Sequence, residues 1–289
     1  MKRAEFFSPK TVAEVLDLLD AYREKAVIVN GGTDIVEQIA KDAVNPEAII
    51  YIQNVQELKG IHVENAYIRI GGASTYAEVL ASPACQQFTA LQRAISECGS
   101  PPIRAVGTPA GNIGTAAPAA DCNVSLIALD AGIVLASKDA ERTIAAKDMF
   151  IASGRTQRRP NELIKEIHIP VVKPGTGSGF LKLAKRKAQD IAQVSVAVCL
   201  SINDKNISDI SIALGAVAPT AIKAYSFESL ARNKTAQDAA AAVKQEIPTE
   251  AALRNPRNKA YKEAVMGVIT ARAITHAFAD AEGRKGQWQ

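Results

Sequence analysis

The sequence predicts an α+β protein in two parts, an α/β portion over residues 1–173 and a smaller α+β portion with an antiparallel sheet over 178–289. Three observations carry this. The chain has 289 residues, more than one core of roughly 100 to 200 residues needs. Helical and strand patterns alternate as far as about Ile169. Beyond KPGTGSG, 173–179, the pattern changes to long strands of alternating apolar and small residues.

The first helix lies in SPKTVAEVLDLLDAY and opens with the capping-box pair Thr11 and Glu14. The apolar run AVIV, 26–29, follows as a strand, and a short helix begins near Ile35. Strands are expected at AIIYI and AYIRIGG, helices near Tyr76–Leu80 and Gln86–Glu97, a helix near LIALDA, and a strand at GIVLAS, 132–137. GTGSG follows a proline and opens no helix, so it reads as a linker and not as a dinucleotide-binding loop. Val194, Val196, Val198, Leu200 and Ile202 then form a strand, and NDKN turns it into ISDISIALGAV, a hairpin with one buried face. The remainder is helical, ending with a long helix from about Arg257 to Ala281.

Composition narrows the function. With 47% hydrophobic and 22% charged residues the chain reads as an ordinary globular protein. Its 34 bases against 30 acids leave a net charge of +4, too balanced to point to nucleic acid or a membrane surface. Asp130 interrupts the longest apolar run, so no membrane span is expected, and MKRAEFFSPK lacks a secretory apolar region; the expected location is cytoplasmic. Cys85, Cys98, Cys122 and Cys199 lie far apart, as do His62, His168 and His276. Neither set has the spacing of a cluster or metal site.

Two glycine loops hold the chemistry. VNGGTD, Val29 to Asp34, stands where a strand ends and a helix opens. Gly31 and Gly32 lack a Cβ, so an anion can approach backbone N–H groups at a helix start. The same pair also suits a plain tight strand-to-helix turn. The second loop, TPAGNIGTAAPAAD, offers bare backbone at Gly107, Gly111 and Gly114, and short polar groups at Thr108 and Asn112. Together the loops could grip a diphosphate from both sides without any lysine. Asp121, at a further helix start, suits ribose hydroxyls, or else simply complements the helix dipole.

VNGGTD, TPAGNIGTAAPAAD and KLAKRKAQDIAQV, in that order and spacing, resemble the three signatures of the FAD-binding medium subunit of molybdenum hydroxylases. That is the family of xanthine, carbon monoxide and nicotinate dehydrogenases, and the resemblance extends through ALGAVAPTAIKA to the closing helix. It implies a two-lobed α/β FAD-binding domain of the vanillyl-alcohol-oxidase-like type over 1–173, its lobes dividing near 55–60, and a C-terminal flavoprotein domain over 178–289. Val29, Asn30, Gly31, Gly32, Thr33, Asp34 and Ile35 then correspond to the first flavin loop, and Thr108, Gly111 and Asn112 to the second. Asp121 resembles the ribose-binding or adenosine-side acid, Ile164 the residue offering a backbone amide to the ring, and Lys182 the lysine beside it.

Three positions depart from the family pattern. Ala110 replaces a glycine of the second loop, which is tolerable only where φ is negative. Cys98 stands where some relatives place an aromatic ring, and Gln189 where some carry an acid in a mobile loop. Two basic runs, Lys182, Lys185, Arg186 and Lys187, and Arg155, Arg158 and Arg159, read as solvated faces or as guides for an anionic acceptor or a partner.

The resemblance implies an electron-transfer subunit holding FAD, with molybdopterin on a large partner and [2Fe–2S] clusters on a small one. The external acceptor would be one such as NAD(P). Two rivals use the same loops: a non-redox nucleotide- or phosphate-binding protein, and a self-contained FAD enzyme of the vanillyl-alcohol-oxidase fold. The second should bring its own substrate domain with catalytic tyrosine, histidine or arginine. The short C-terminal part, with Tyr225 and Tyr261 as its only tyrosines, speaks against it.

Overall fold

The computed structural model describes residues 4–186, 189–253 and 256–284. Its first layer is a parallel three-stranded sheet in the order β1 (Glu5–Phe7), β3 (Ala48–Tyr51), β2 (Ala26–Val29). Helices α1 (Val12–Tyr22) and α2 (Ile35–Ala40) connect these strands. Val15 and Leu19 of α1 pack on Ile50 of β3 in a small core, which is why the apolar positions of α1 recur at helical spacing. Thr11 caps α1 by accepting from the Glu14 amide, but the Glu14 carboxylate turns to the Lys10 amide, so the expected reciprocal box is only half made. The complete box belongs to Thr75 and Glu78.

The second layer is a five-stranded antiparallel sheet in the order β4 (Ile61–Val63), β5 (Tyr67–Gly71), β10 (Leu163–Pro170), β6 (Gly132–Ala136), β7 (Glu141–Ala145). Between β5 and β6 the chain makes five helices: α3 (Tyr76–Ala81), α4 (Thr89–Ser96), α5 (Pro101–Val106), α6 (Pro109–Thr115) and α7 (Asp121–Ala128). The single helix expected over Gln86–Glu97 is a 3-10 turn at Pro83–Gln87 followed by α4. A small hairpin, β8 (Phe150–Ala152) and β9 (Arg155–Thr156), leads back to β10. Ile68, Ile70, Leu91, Ile95, Ile127 and Ile167 are fully buried between this sheet and α4 and α7.

The third layer is antiparallel, in the order β11 (Thr176–Leu183), β12 (Val194–Asn203), β13 (Asn206–Gly215), β14 (Ile222–Lys223). Helices α8 (Tyr225–Ala231), α9 (Ala236–Val243) and α10 (Pro256–Ala281) follow it. Asp204 and Lys205 both take positive φ, 46° and 68°, which fits the right-handed twist of the β12–β13 hairpin.

Two expectations are corrected here. The hairpin buries both faces: Val196 and Val198 meet the α10 side, while Ala197 and Ala213 join the core containing α4 and α7. Small residues alternate with valine because helices press on both sides. GTGSG is no linker either, since Thr176 to Gly179 are the first half of β11. A Cβ on Gly177 would lie 2.1 Å from the Ala281 amide nitrogen and 2.4 Å from the Ala277 carbonyl, so this glycine lets α10 lie directly on the strand.

Candidate functional site

At the end of β2 the chain enters the first loop, and Asn30 fixes its course. The Asn30 side-chain nitrogen donates to the Gly72 carbonyl at 2.7 Å and to Thr108 Oγ1 at 2.9 Å, while its oxygen accepts from Gln53 at 2.5 Å. A buried amide so fully engaged clasps the first loop to the second. Gly31 is bare for the same reason: a Cβ there would come 2.0 Å from the Val106 carbonyl oxygen. Gly32 has φ +71°, the left-handed turn that favours glycine. Asp34 Oδ2 then accepts from Gln38 at 2.7 Å and from Thr115 at 3.1 Å, a second tie between the loops.

The second loop is tightly wound. Thr108 caps α6 by accepting from the Gly111 amide at 2.9 Å, and Pro109 occupies the first helical turn, where no N–H is required. Ala110 takes no positive φ, and its methyl is buried in the main core. The extra methyl therefore costs no backbone strain, while Ala110 also touches the cavity between the loops. A Cβ on Gly114 would meet no atom within 4 Å.

Between the loops opens a cavity of about 650 Å³, within the range of roughly 300 to 1,000 Å³ usual for cofactor clefts. Asn30, Gly31, Gly32, Thr33, Asp34, Ile35, Thr108, Gly111, Asn112 and Ile164 all line it. No acceptor among the described residues takes the amide hydrogens of Gly31, Gly32, Thr33, Asp34 or Ile35. Asn112 Oδ1 is buried with no partner. Ala26, Ile28, Val44 and Ile52 give the cavity one apolar wall, and Tyr76, Cys98, Ile103 and Ile164 give it another.

Three expected site residues stand outside the cavity wall. Val29 is buried beneath the loop. Asp121, which opens α7, and Lys182, on β11, are joined as an ion pair at 2.5 Å with side chains only 5% and 7% exposed. The Lys182 ammonium also donates to the Glu97 carbonyl at 3.4 Å, directly behind Cys98. Burial pushes the Asp121 carboxyl up to about 6 against the downward pull of Lys182, and its Oδ1 has no partner. Lys182 is thus not a lone cation, and a charge on one member of the pair is largely offset by the other.

Cys98 lines the cavity itself, and burial raises its thiol, so it presents a neutral, compact surface where an aromatic ring was the family alternative. Gln189 lies away from the cavity with φ +49°, its carbonyl accepting from Arg186. Of the first basic run, Lys185 and Arg186 are exposed and Lys187 lies outside the described residues. Of the second, Arg155 and Arg159 are exposed, but Arg158 is half-buried and lines the cavity. Among the wall residues that sequence reasoning missed are the polar Arg158, Tyr76, Gln38 and Thr115 and the apolar Ala26, Ile28, Val44 and Ile52. Nothing local distinguishes Arg158 from its neighbours, because its environment is set by a turn and a helix that meet only in the folded chain.

The comparisons with known proteins agree with this geometry. Residues 2–172 match the family described as the FAD binding domain in molybdopterin dehydrogenase, and residues 179–277 the CO dehydrogenase flavoprotein C-terminal domain. The chain is 34% identical over 212 residues to the nicotinate dehydrogenase FAD-subunit of Eubacterium barkeri, covering 72% of each. It is 31% identical to the carbon monoxide dehydrogenase medium chain of Hydrogenophaga pseudoflava, covering 96% of this chain and 98% of that one. Its fold is similar to a solved carbon monoxide dehydrogenase chain from the same organism, with TM-score 0.88, 30% identity and coverage of 96% and 98%. It is also similar to quinoline 2-oxidoreductase from Pseudomonas putida 86, with TM-score 0.83, 25% identity and coverage of 99% and 100%.

Proposed function

The chain belongs to the family of FAD-binding subunits of the molybdenum hydroxylases, and from that premise we propose that it is the electron-transfer subunit of a molybdopterin-dependent dehydrogenase complex. Its partners would be a small subunit with [2Fe–2S] clusters and a large molybdopterin subunit, and the external acceptor one such as NAD(P), in a cytoplasmic setting. The observation that carries the reading is the run of five unclaimed amides at Gly31–Ile35 facing Gly111 and Asn112 across one cavity. Bound FAD would supply the exchange of electrons between a one-electron and a two-electron partner.

The chain's own part is to bind, orient and shield. The amides of Gly31 to Ile35 suit the diphosphate of a dinucleotide, and the unpartnered Asn112 oxygen, which accepts, suits a ribityl or ribose hydroxyl. The wall of Ala26, Ile28, Val44 and Ile52 suits a base. Tyr76, Ile103 and Ile164 form an apolar seat for the ring, with Lys182 and Asp121 behind Cys98 as a buried polar pair. Asn30 and the Asp34–Thr115 bond keep the two loops at a fixed separation, so the seat exists before the cofactor enters.

The test is purification of the chain with its co-expressed partners, a visible absorption spectrum, and chromatographic identification of what heat or acid releases. Released FAD, iron and molybdopterin in one assembly, with substrate-dependent reduction of NAD(P), support the proposal. A complex that reduces artificial dyes but not NAD(P) would refute the acceptor. A colourless chain that refuses added FAD would favour the non-redox phosphate-binding reading.

A further inference from the structure

We propose that Arg158 is a cofactor-binding residue of this chain, its guanidinium gripping the diphosphate of the flavin dinucleotide. The proposal rests on the FAD reading above and adds to it a cation that neither glycine loop contains.

The charge balance of the cavity favours one. Among the described lining residues the charged side chains are Asp34 and Arg158. A flavin dinucleotide brings two negative charges on its diphosphate, and Asp34 places a carboxylate in the same wall. The helices behind the loops are short, six residues for α2 and seven for α6, so the summed dipole each presents is small. Backbone amides alone would then face a dianion beside a carboxylate. Arg158 makes the wall neutral before the ligand arrives and positive relative to Asp34 at the point where it stands.

Its geometry suits an anion more than a structural role alone does. Arg158 Nη1 donates to the carbonyls of Glu162 at 2.7 Å, Arg159 at 3.1 Å and Pro160 at 3.5 Å. That anchors one edge of the guanidinium on the turn before β10. No acceptor among the described residues takes the hydrogens of Nε or Nη2. The Glu162 carboxylate attracts the guanidinium through space but does not occupy its free edge, because Glu162 is held by Arg142 Nε at 2.7 Å and Nη2 at 2.9 Å, and by the Arg159 amide. What is left is a planar two-donor edge on an already immobilised group, the arrangement that pairs with phosphate oxygens at small entropic cost.

The experiment uses the full chain stripped of flavin and read by flavin fluorescence, with FAD and riboflavin as the two probes. Arg158→Met should weaken FAD binding about 10- to 100-fold, the range of a charge-assisted hydrogen bond. It should also flatten the dependence of FAD binding on salt and leave riboflavin binding unchanged, because riboflavin carries no phosphate. Arg158→Lys should restore part of the salt dependence. FAD affinity unchanged in Arg158→Met overturns the proposal and leaves the FAD reading intact, whereas a wild-type chain that binds neither probe overturns the FAD reading itself. Should Arg158→Met fail to fold, phenylglyoxal labelling of the wild type decides: protection of Arg158 by FAD and ADP but not by riboflavin supports the grip, and equal labelling with and without FAD overturns it.

Discussion

Replacing Lys182 by Met removes the only ion-pair partner that Asp121 has among the described residues, and the penalty should depend on pH in a calculable way. In the folded wild type the Asp121 carboxyl is raised from 3.8 to about 6, burial outweighing the ammonium. The folded state therefore holds its proton more tightly than the unfolded one. Stability from this group is full below about pH 4, falls as pH rises through the window between 3.8 and about 6, and is level above it. At about 1.4 kcal/mol per pH unit, the wild type loses roughly 3 kcal/mol across that window. Without the ammonium the carboxyl rises further and has no levelling near pH 6, so the loss continues at about 1.4 kcal/mol per unit. Lys182→Met should thus differ from wild type by a constant amount up to about pH 6 and fall roughly 3 kcal/mol further below it by pH 8. Denaturant midpoints followed by circular dichroism at several pH values between 5 and 8 measure this. The double variant Lys182→Met/Asp121→Asn should lose the slope, since no carboxyl remains to titrate. A penalty constant across pH, or a slope that persists in the double variant, would refute the account of Asp121.

Gly114→Val should fold normally, because its Cβ points into space free of atoms within 4 Å, yet lower the flavin content of the purified chain at least about tenfold by filling the cavity; full occupancy would remove α6 from the flavin site. Asn30→Ala takes away a donor from the Gly72 carbonyl and Thr108, and from Gln53 its acceptor. Thr108 keeps the Gly111 amide and Gln53 keeps the Ala73 carbonyl, so the Gly72 carbonyl alone is left unpaired; the loss should cost about 1 to 3 kcal/mol, and Asn30→Asp should not rescue it, because a carboxylate cannot donate to Gly72. A thermal unfolding midpoint within about one degree of wild type would show that Asn30 is not a clasp.

What could be read from the sequence is what neighbours within a few residues decide. Thr108, Pro109 and Gly111 specify the cap of α6 among themselves, and Asp204 and Lys205 specify a turn. The resemblance pointed to both loops, yet it cast Asp121 and Lys182 in separate roles, while the fold brings residues 61 apart into one buried pair. TGSG misled because glycine usually marks an interruption of structure. At Gly177 it serves a contact with Ala281, about which the surrounding residues say nothing.

Arg158 is the clearest case of what stays hidden. In QRRPNE it has the same local setting as Arg159, and a run of arginines ordinarily lies in water. The two part company because Glu162 is claimed by Arg142 from β7 and by the Arg159 amide, while the Glu162 carbonyl is left to Arg158. One arginine is turned outward and the other is anchored on the carbonyls of its own turn, whose carboxylate is occupied by an arginine 20 residues away. Charge in a sequence thus specifies how many cations a site can draw on, and the hydrogen bonds of the fold decide which of them it gets.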